Sequence, residues 1–320
     1  MKKIIIMAAA FAIGAGAAGQ ASAQNKENIA WGGSNPGGVM YYMVGAAGTI
    51  ISEKLPQYNI TQVTTGGSTE NAKRIIKGEL DMGIVYGAHI FMSQKPEGPF
   101  KDGAKGTMFR GIAKAYKGPT YFVTLPGTGI KSISDLKGKK VALGPPGSGT
   151  VFNCSNMLRA VGMLDAIKPS MMTFADAGRA LGNNQIDALC QSSAPAAAVK
   201  ELAETKGAIV LPYSGDEMKK ITTKYPFYNK GTMPATTYKG VPAVDLPYLT
   251  VYWVAHERVS PKAVEDILNL VYQPEIRKRL KAGHKAWGQM EPDTKNFEAL
   301  GVPMHPGAVA YYKSKGLWNK

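Results

Sequence analysis

The sequence predicts an α/β protein made of two α/β domains that are joined by crossing strands. Short apolar runs alternate with amphipathic segments along most of the chain, which is typical of parallel sheets with helical crossovers. A helix that runs into a strand occurs in similar form twice, at GELDMGIV (78–85) and at NNQIDALC (183–190). The length of 320 residues suits two domains of ordinary size.

The apolar runs define the predicted strands, and the amphipathic segments between them define the helices. In chain order the strands are predicted at 28–31, 60–64, 82–86, 140–143, 171–174, 186–190 and 209–211. The helices are predicted at 41–54, 69–77, 150–161, 176–181 and 196–204, and Gly or Pro signals close them.

Two further strand-like segments, 120–125 and 248–255, flank the second repeat. They are predicted to cross between the domains and to form a hinge. The resulting division places 24–119 plus 248–320 in lobe I and 120–247 in lobe II.

The first residues have the features of a secretory signal peptide. Lys2 and Lys3 precede an apolar run over 4–18, and Ala-Ser-Ala at 21–23 forms an A-x-A cleavage site. We expect residues 1–23 to be a signal peptide that is cut after Ala23. The mature protein is therefore predicted to be periplasmic.

Charge and histidine spacing argue against several function classes. The formal net charge is +15, but the lysines are scattered over ordinary helical faces, so a solvated basic surface is favoured over a nucleic-acid site. The four histidines, which share no metal-ligand spacing, are His89, His256, His284 and His305. We predict no metal and no cofactor.

The chain has two cysteines, Cys154 and Cys190. Both occupy apolar positions, one in a predicted helix and one in a predicted strand. An oxidising periplasm permits a disulfide, and two buried free thiols are equally compatible with the sequence.

Three loops of similar composition connect a strand to a helix: GGSNPGG (32–38), TTGGST (64–69) and GPPGSGT (144–150). Their glycines allow close backbone approach, and their small hydroxyls can cap a helix or bind a ligand oxygen. Thr150 stands where a nucleotide-binding P-loop needs lysine, so a site for a smaller anion is predicted. Ligands of open α/β sheets bind at this end of the strands.

These motifs, in this order, resemble the TAXI branch of solute receptors from tripartite ATP-independent periplasmic (TRAP) transporters. The resemblance covers TTGGSTENAKRIIKGELDMGIV, GPPGSGT, FADAGRAL, NNQIDALCQSSAPAAAVKELA, KYPFYNKGTMPATTYKG, VPAVDLPYLTVYWVAHE and HPGAVAYYKSKGLW. It implies a two-lobed periplasmic-binding-protein fold, type II-like, that captures a small organic carboxylate and delivers it to TRAP membrane subunits. The implied ligands are dicarboxylates, 2-oxo acids and amino acids such as glutamate, and a monomer is expected.

The resemblance also implies ligand-binding residues, most of them small or hydroxylated. They are Ser34, Tyr41, Tyr42, Gly67, Ser68, Ser148, Gly149, Thr150, Ser193 and Ala194. Tyr86 follows the strand residue Val85, where relatives often have glutamine, which favours a ligand with an apolar or planar portion; a packed core tyrosine is the alternative. No arginine lies in the three loops, so amide and hydroxyl donors are expected to hold the carboxylate.

We expect the protein not to be an enzyme, because no Ser/His/Asp arrangement or G-x-S-x-G motif is present. The alternative is a periplasmic enzyme on the same fold, with His89 as its candidate base. Two other possibilities keep the binding fold: a ligand-sensing module, or a receptor for an ATP-driven (ABC) importer.

Overall fold

The computed structural model describes residues 26–95, 97–101 and 106–318. The predicted signal peptide lies outside the described residues. Strands and helices alternate as far as β11, and the described segment after that strand is helical. The strands are β1 (Glu27–Gly32), β2 (Tyr58–Val63), β3 (Met82–Tyr86), β4 (Phe109–Pro119), β5 (Tyr121–Thr124), β6 (Lys140–Ala142), β7 (Lys168–Ser170), β8 (Ala188–Gln191), β9 (Ile209–Val210), β10 (Asn229–Met233) and β11 (Val244–His256). The helices are α1 (Val39–Lys54), α2 (Ser68–Ile76), α3 (Gly87–Gln94), α4 (Gly149–Ala160), α5 (Phe174–Gly182), α6 (Ala197–Thr205), α7 (Gly215–Lys224), α8 (Pro261–Val271), α9 (Pro274–Gly283), α10 (Thr294–Ala299) and α11 (Pro306–Ser314).

The strands form two sheets, as the α/β prediction requires. The first has the order β10-β11-β3-β1-β2, with β4 also paired to β11; the second has the order β7-β6-β8-β5-β9. In the first sheet β1 runs parallel to both β2 and β3, and in the second β6 runs parallel to β7 and β8. The parallel strands of each sheet are linked by helices, which places helix N-termini at the carboxyl ends of the strands.

Most predicted elements are present, but the strand predicted at Met171–Phe174 is wrong. The strand at this place is β7, three residues earlier, where Ala142 of β6 pairs with Ser170. Thr173 caps the following helix, because its hydroxyl accepts a hydrogen bond from the Asp176 amide, and Phe174 becomes the first helical residue. The local Thr-x-x-Asp capping pattern therefore outweighs the apolar run.

The chain passes from the first sheet to the second through Thr120, the one residue between β4 and β5. Its amide donates to the carbonyl of Pro247, which ties the passage to β11. The other predicted crossing segment, 248–255, is a strand but does not cross: it lies inside β11, where it pairs with β3, β4 and, at its start, β10. The reason is that this apolar strand is buried on both faces of the first sheet. β10, at 229–233, also pairs in the first sheet, although the prediction assigned that segment to lobe II.

Three tryptophans pack together in the core beside the first sheet. Trp31 and Trp253 stack with ring centroids 4.6 Å apart, and Trp287 meets both edge-on. The indole nitrogen of Trp287 donates to the carbonyl of Met43 in α1. This cluster anchors the C-terminal helical segment against β1 and β11.

Cys154 and Cys190 form a disulfide that links α4 to β8, with Cα atoms 6.3 Å apart. The sequence was compatible with a disulfide or with two buried free thiols, and the structure has the disulfide. The bond holds the helix that follows GPPGSGT against the central strand of the second sheet. Within the ranges given above, no helix is long and apolar enough to cross a membrane.

Candidate functional site

A small pocket lies between the two sheets, at the ends of their strands. All three of the glycine-rich loops reach it. The residues that line it are Ser34, Gly38, Val39, Met40, Gly66, Gly67, Ser68, Tyr86, Gly149, Thr150, Phe174, Gln191 and Ser193. Segments that are far apart in sequence and belong to both sheets therefore meet around one small space.

The N-termini of three helices, α1, α2 and α4, point at this pocket. The first amides of a helix have no acceptor within it, and the helix dipole adds partial positive charge there. Side chains take some of these amides: the Ser34 hydroxyl accepts from Tyr41 N–H at 3.1 Å, and the Ser148 hydroxyl accepts from Val151 N–H at 3.1 Å. No described side chain accepts from the amides of two pocket-lining residues, Met40 and Thr150. Such amides suit an anionic group.

The lining contains no charged side chain. The closest carboxylate to loop 64–69 is that of Glu70, which accepts from Gly66 N–H at 2.7 Å and pairs with Arg74 at 3.3 Å. Its charge is therefore engaged outside the pocket. Any anion bound here would be held by neutral donors and helix dipoles, as the sequence predicted, without a buried cation whose desolvation is costly.

Ser68 is held in place by two neighbours in the first sheet's half of the site. Its hydroxyl oxygen accepts from Tyr86 N–H at 2.8 Å and lies 2.7 Å from His89 Nδ1. His89 is fully buried, and burial lowers its pKa to about 3, so the imidazole is neutral near pH 7. A general base works best with a pKa near the operating pH, which weighs against His89 as the base of a hydrolase.

The buried histidines predict that acidification destabilises the protein. Unfolded His89, with an ordinary pKa of 6.5, takes up a proton as the pH falls below that value, whereas folded His89 does so only near pH 3. Stability is therefore lost as the pH falls from about 7 to 5, by about 2 kcal/mol for this residue alone. His305, whose pKa burial lowers to about 4, acts in the same direction.

Urea unfolding at pH 7 and pH 5 measures this effect. The His89→Gln variant is expected to show a smaller loss than the native protein over the same interval, since its side chain does not titrate. Equal losses in the two proteins would contradict the assignment of this proton uptake to His89.

The second sheet's half of the site closes over the first through aromatic and hydroxyl contacts. The Tyr86 hydroxyl, from β3, donates to the Ser192 carbonyl at 3.1 Å, and the Tyr116 hydroxyl lies 2.7 Å from Ser193 Oγ. The ring of Phe174 packs on Gly38, where a Cβ atom would lie 2.7 Å from the ring. Glycine at this position is thus needed for the two halves to approach.

Seven of the eleven residues that the sequence proposed line the pocket: Ser34, Gly67, Ser68, Tyr86, Gly149, Thr150 and Ser193. The other four do not. The Tyr41 amide is bonded to Ser34, and Ser148 caps α4. Tyr42 is 38 % exposed and lies beside a different cavity that includes Pro195, and Ala194 precedes a cis peptide bond to that proline. Their assignment to the ligand stays a prediction.

The sequence interpretation missed several lining residues, of which Phe174 and Gln191 are the most informative. The sequence pattern predicted Phe174 at the end of a strand, whereas it is the first residue of α5 and its side chain lines the pocket. Gln191 ends β8, is 2 % exposed, and its side-chain Nε2 has no hydrogen-bond partner among the described residues. A polar residue directly after the apolar strand run 186–190 was the available signal.

This architecture, with two sheets that enclose a polar pocket at the ends of their strands, is the fold of periplasmic solute-binding proteins. Three solved structures share it. One is a protein of Bordetella bronchiseptica RB50, with 16% identity over 91% of this chain and 99% of that chain, at a TM-score of 0.56. Another is described as a periplasmic transporter, with 12% identity over 90% and 96% of the two chains and a TM-score of 0.55. The third is the alkanesulfonate-binding protein SsuA from Xanthomonas axonopodis pv. citri bound to MOPS, with 13% identity over 92% and 96% and a TM-score of 0.51.

The chain belongs to the NMT1-like family, whose model matches residues 32–316. The match includes every residue that lines the pocket and every strand of both sheets except β1, of which only Gly32 falls within it.

Proposed function

We propose that this protein is a periplasmic receptor that binds a small organic carboxylate between its two lobes and presents it to a membrane transporter. The observation that carries the proposal is the convergence of three helix N-termini on one small pocket without charged side chains. Amides held in this way match the oxygens of a carboxylate, because each helix fixes the direction of its own N–H groups before the ligand arrives. The low pKa of His89 supports binding over hydrolysis.

The position of the pocket also supports a coupling between ligand binding and closure of the two lobes. Its walls come from both sheets, so a ligand contacts all of them only when the lobes are shut. Binding would then shift the population towards the closed form, which the membrane partner would recognise. We expect a monomer, with lobe I at 24–119 plus 248–320 and lobe II at 120–247, except that β10 and the first residues of β11 pair within the sheet of lobe I.

The sequence motifs and the structural matches suggest different transporters. The TAXI-like motif order supports delivery to TRAP membrane subunits, and it is the proposal we favour. The structural match to an alkanesulfonate-binding protein supports recognition of a small organic anion, and it leaves an ABC importer as the second candidate. Transport in cells distinguishes them, because TRAP uptake should continue when ATP is depleted while an ion gradient is maintained.

Thermal unfolding against a ligand panel tests the receptor function. A ligand that binds only the native state raises the unfolding midpoint once its concentration exceeds its dissociation constant. We expect a shift of several degrees with one class among dicarboxylates, 2-oxo acids and amino acids, and none with nucleotides. The Thr150→Val variant removes a pocket hydroxyl and is expected to weaken binding roughly tenfold.

Thr223→Val is the matched control, since Thr223 is exposed on α7 and lies outside the pocket. It should bind the ligand as the native protein does. A shift with nucleotides alone, or turnover of any panel compound, would overturn the receptor function and favour the enzyme alternative.

A further inference from the structure

We infer that the Gln191 side chain donates a hydrogen bond to an uncharged oxygen of the ligand, separate from its carboxylate. The receptor would then select small 2-oxo acids over both simple carboxylates and amino acids. This inference rests on the proposed function, because it concerns the same pocket. It adds a specificity-determining residue and narrows the ligand class.

Among the described residues that line the pocket, the side-chain nitrogen of Gln191 is the one buried side-chain polar atom without a hydrogen-bond partner. The residue is 2 % exposed, it lines the pocket, and its Nε2 lacks a hydrogen-bond partner within the described residues. A buried amide without partners is costly, and native proteins rarely keep one unless a ligand or water completes it. The other polar neighbours are already engaged: Ser193 Oγ donates to the Ser192 carbonyl at 2.6 Å and lies 2.7 Å from the Tyr116 hydroxyl.

Gln191 lies across the pocket from two of the three helix N-termini. The amides of α1 and α2 belong to the first sheet's half, whereas Gln191 ends β8 of the second sheet, in the same half as the N-terminus of α4. A carboxylate at the helix N-termini would leave Gln191 to bind another part of the same molecule. Because the pocket is small, that second group must be close to the carboxylate.

The charge of the lining restricts what this second group can be. An ammonium group needs a carboxylate or several acceptors when it is buried, and the lining offers no acidic side chain. Glu70 is bound to Gly66 N–H and paired with Arg74, so it cannot take that part without losing both. A second carboxylate beside Gln191 would have no cation near it, and the amides at the helix N-termini would already hold the first carboxylate. A neutral carbonyl oxygen, by contrast, is the acceptor that the Gln191 N–H requires.

Calorimetric titration of the purified protein with matched ligands tests this inference. The probes are pyruvate, propionate and alanine, with 2-oxobutyrate, butyrate and 2-aminobutyrate as the longer series. We expect the 2-oxo acids to bind about tenfold more tightly than the simple acids, and the amino acids to bind more weakly than either.

The Gln191→Met variant keeps the length of the side chain and removes its amide. It is expected to lose about tenfold in affinity for the 2-oxo acids and to bind propionate and butyrate as the native protein does. Gln185→Met is the control, because Gln185 is exposed and directly precedes the same strand run; it should change neither affinity. If the methionine variant does not fold, Gln191→Asn, which withdraws the amide by one methylene, should show the same selective loss.

The results separate the two proposals. Equal binding of pyruvate and alanine, or an equal loss for pyruvate and propionate in Gln191→Met, would overturn the role of Gln191 and leave the carboxylate receptor intact. If no dicarboxylate, 2-oxo acid or amino acid of the thermal-unfolding panel binds, the receptor function is overturned, and the inference about Gln191 with it.

Discussion

Replacing Gly149 by alanine is expected to reduce ligand affinity roughly 10- to 100-fold, because the added methyl group obstructs closure of the two halves. A Cβ atom at this position would lie 2.6 Å from two ring carbons of Tyr86 and 2.7 Å from His89 Cε1. Gly149 begins α4 on the second sheet's side, whereas Tyr86 and His89 belong to β3 and α3. The clash therefore occurs between the halves and not within either one. Calorimetry measures the loss, and small-angle scattering should show no compaction when ligand is added.

Gly215→Ala is the matched control. Gly215 also begins a helix directly after a serine cap, and a Cβ atom there would meet nothing within 4 Å. This variant should bind ligand normally. If Gly149→Ala binds as tightly as the control and compacts with ligand, closure does not require the contact between Gly149 and Tyr86.

Replacing Asn71 by leucine is expected to lower the free energy of unfolding by about 3–5 kcal/mol. Asn71 is fully buried, and its Nδ2 donates to the carbonyls of Gly32, Gly33 and Ile84. Its Oδ1 accepts from the Thr65 hydroxyl at 2.7 Å. The one side chain thus joins α2 to β1, β3 and two of the pocket loops, and leucine would leave several buried polar groups unpaired. Urea unfolding measures the difference.

Asn59→Leu provides the comparison, since Asn59 is exposed on β2 and its side chain donates to the Asn28 side chain, also exposed, at 2.7 Å. It should change stability by less than about 0.5 kcal/mol. A loss of similar size in both variants would show that the Asn71 network contributes little.

The sequence predicted the local elements well where the pattern was unambiguous. The apolar strand 82–86 and the helix after TTGGST are both present, because hydrophobic period and glycine signals act over a few residues. Prediction failed at Met171–Phe174, where a cap at Thr173 competed with an apolar run. It also placed 248–255 across the domains, since an apolar strand in a sheet and one that crosses between sheets look alike in sequence.

The composition of three loops and their position before helices also follow from the sequence, and together they predict an anion site. What only the tertiary structure decided is which side chains face that site. Phe174 and Gln191 reach the pocket because two sheets pack against each other, and Tyr42 faces elsewhere for the same reason. Likewise the pairing of Cys154 with Cys190 depends on how α4 lies on β8. Local patterns control the backbone over a few residues, whereas selectivity comes from distances between segments that are far apart in the chain.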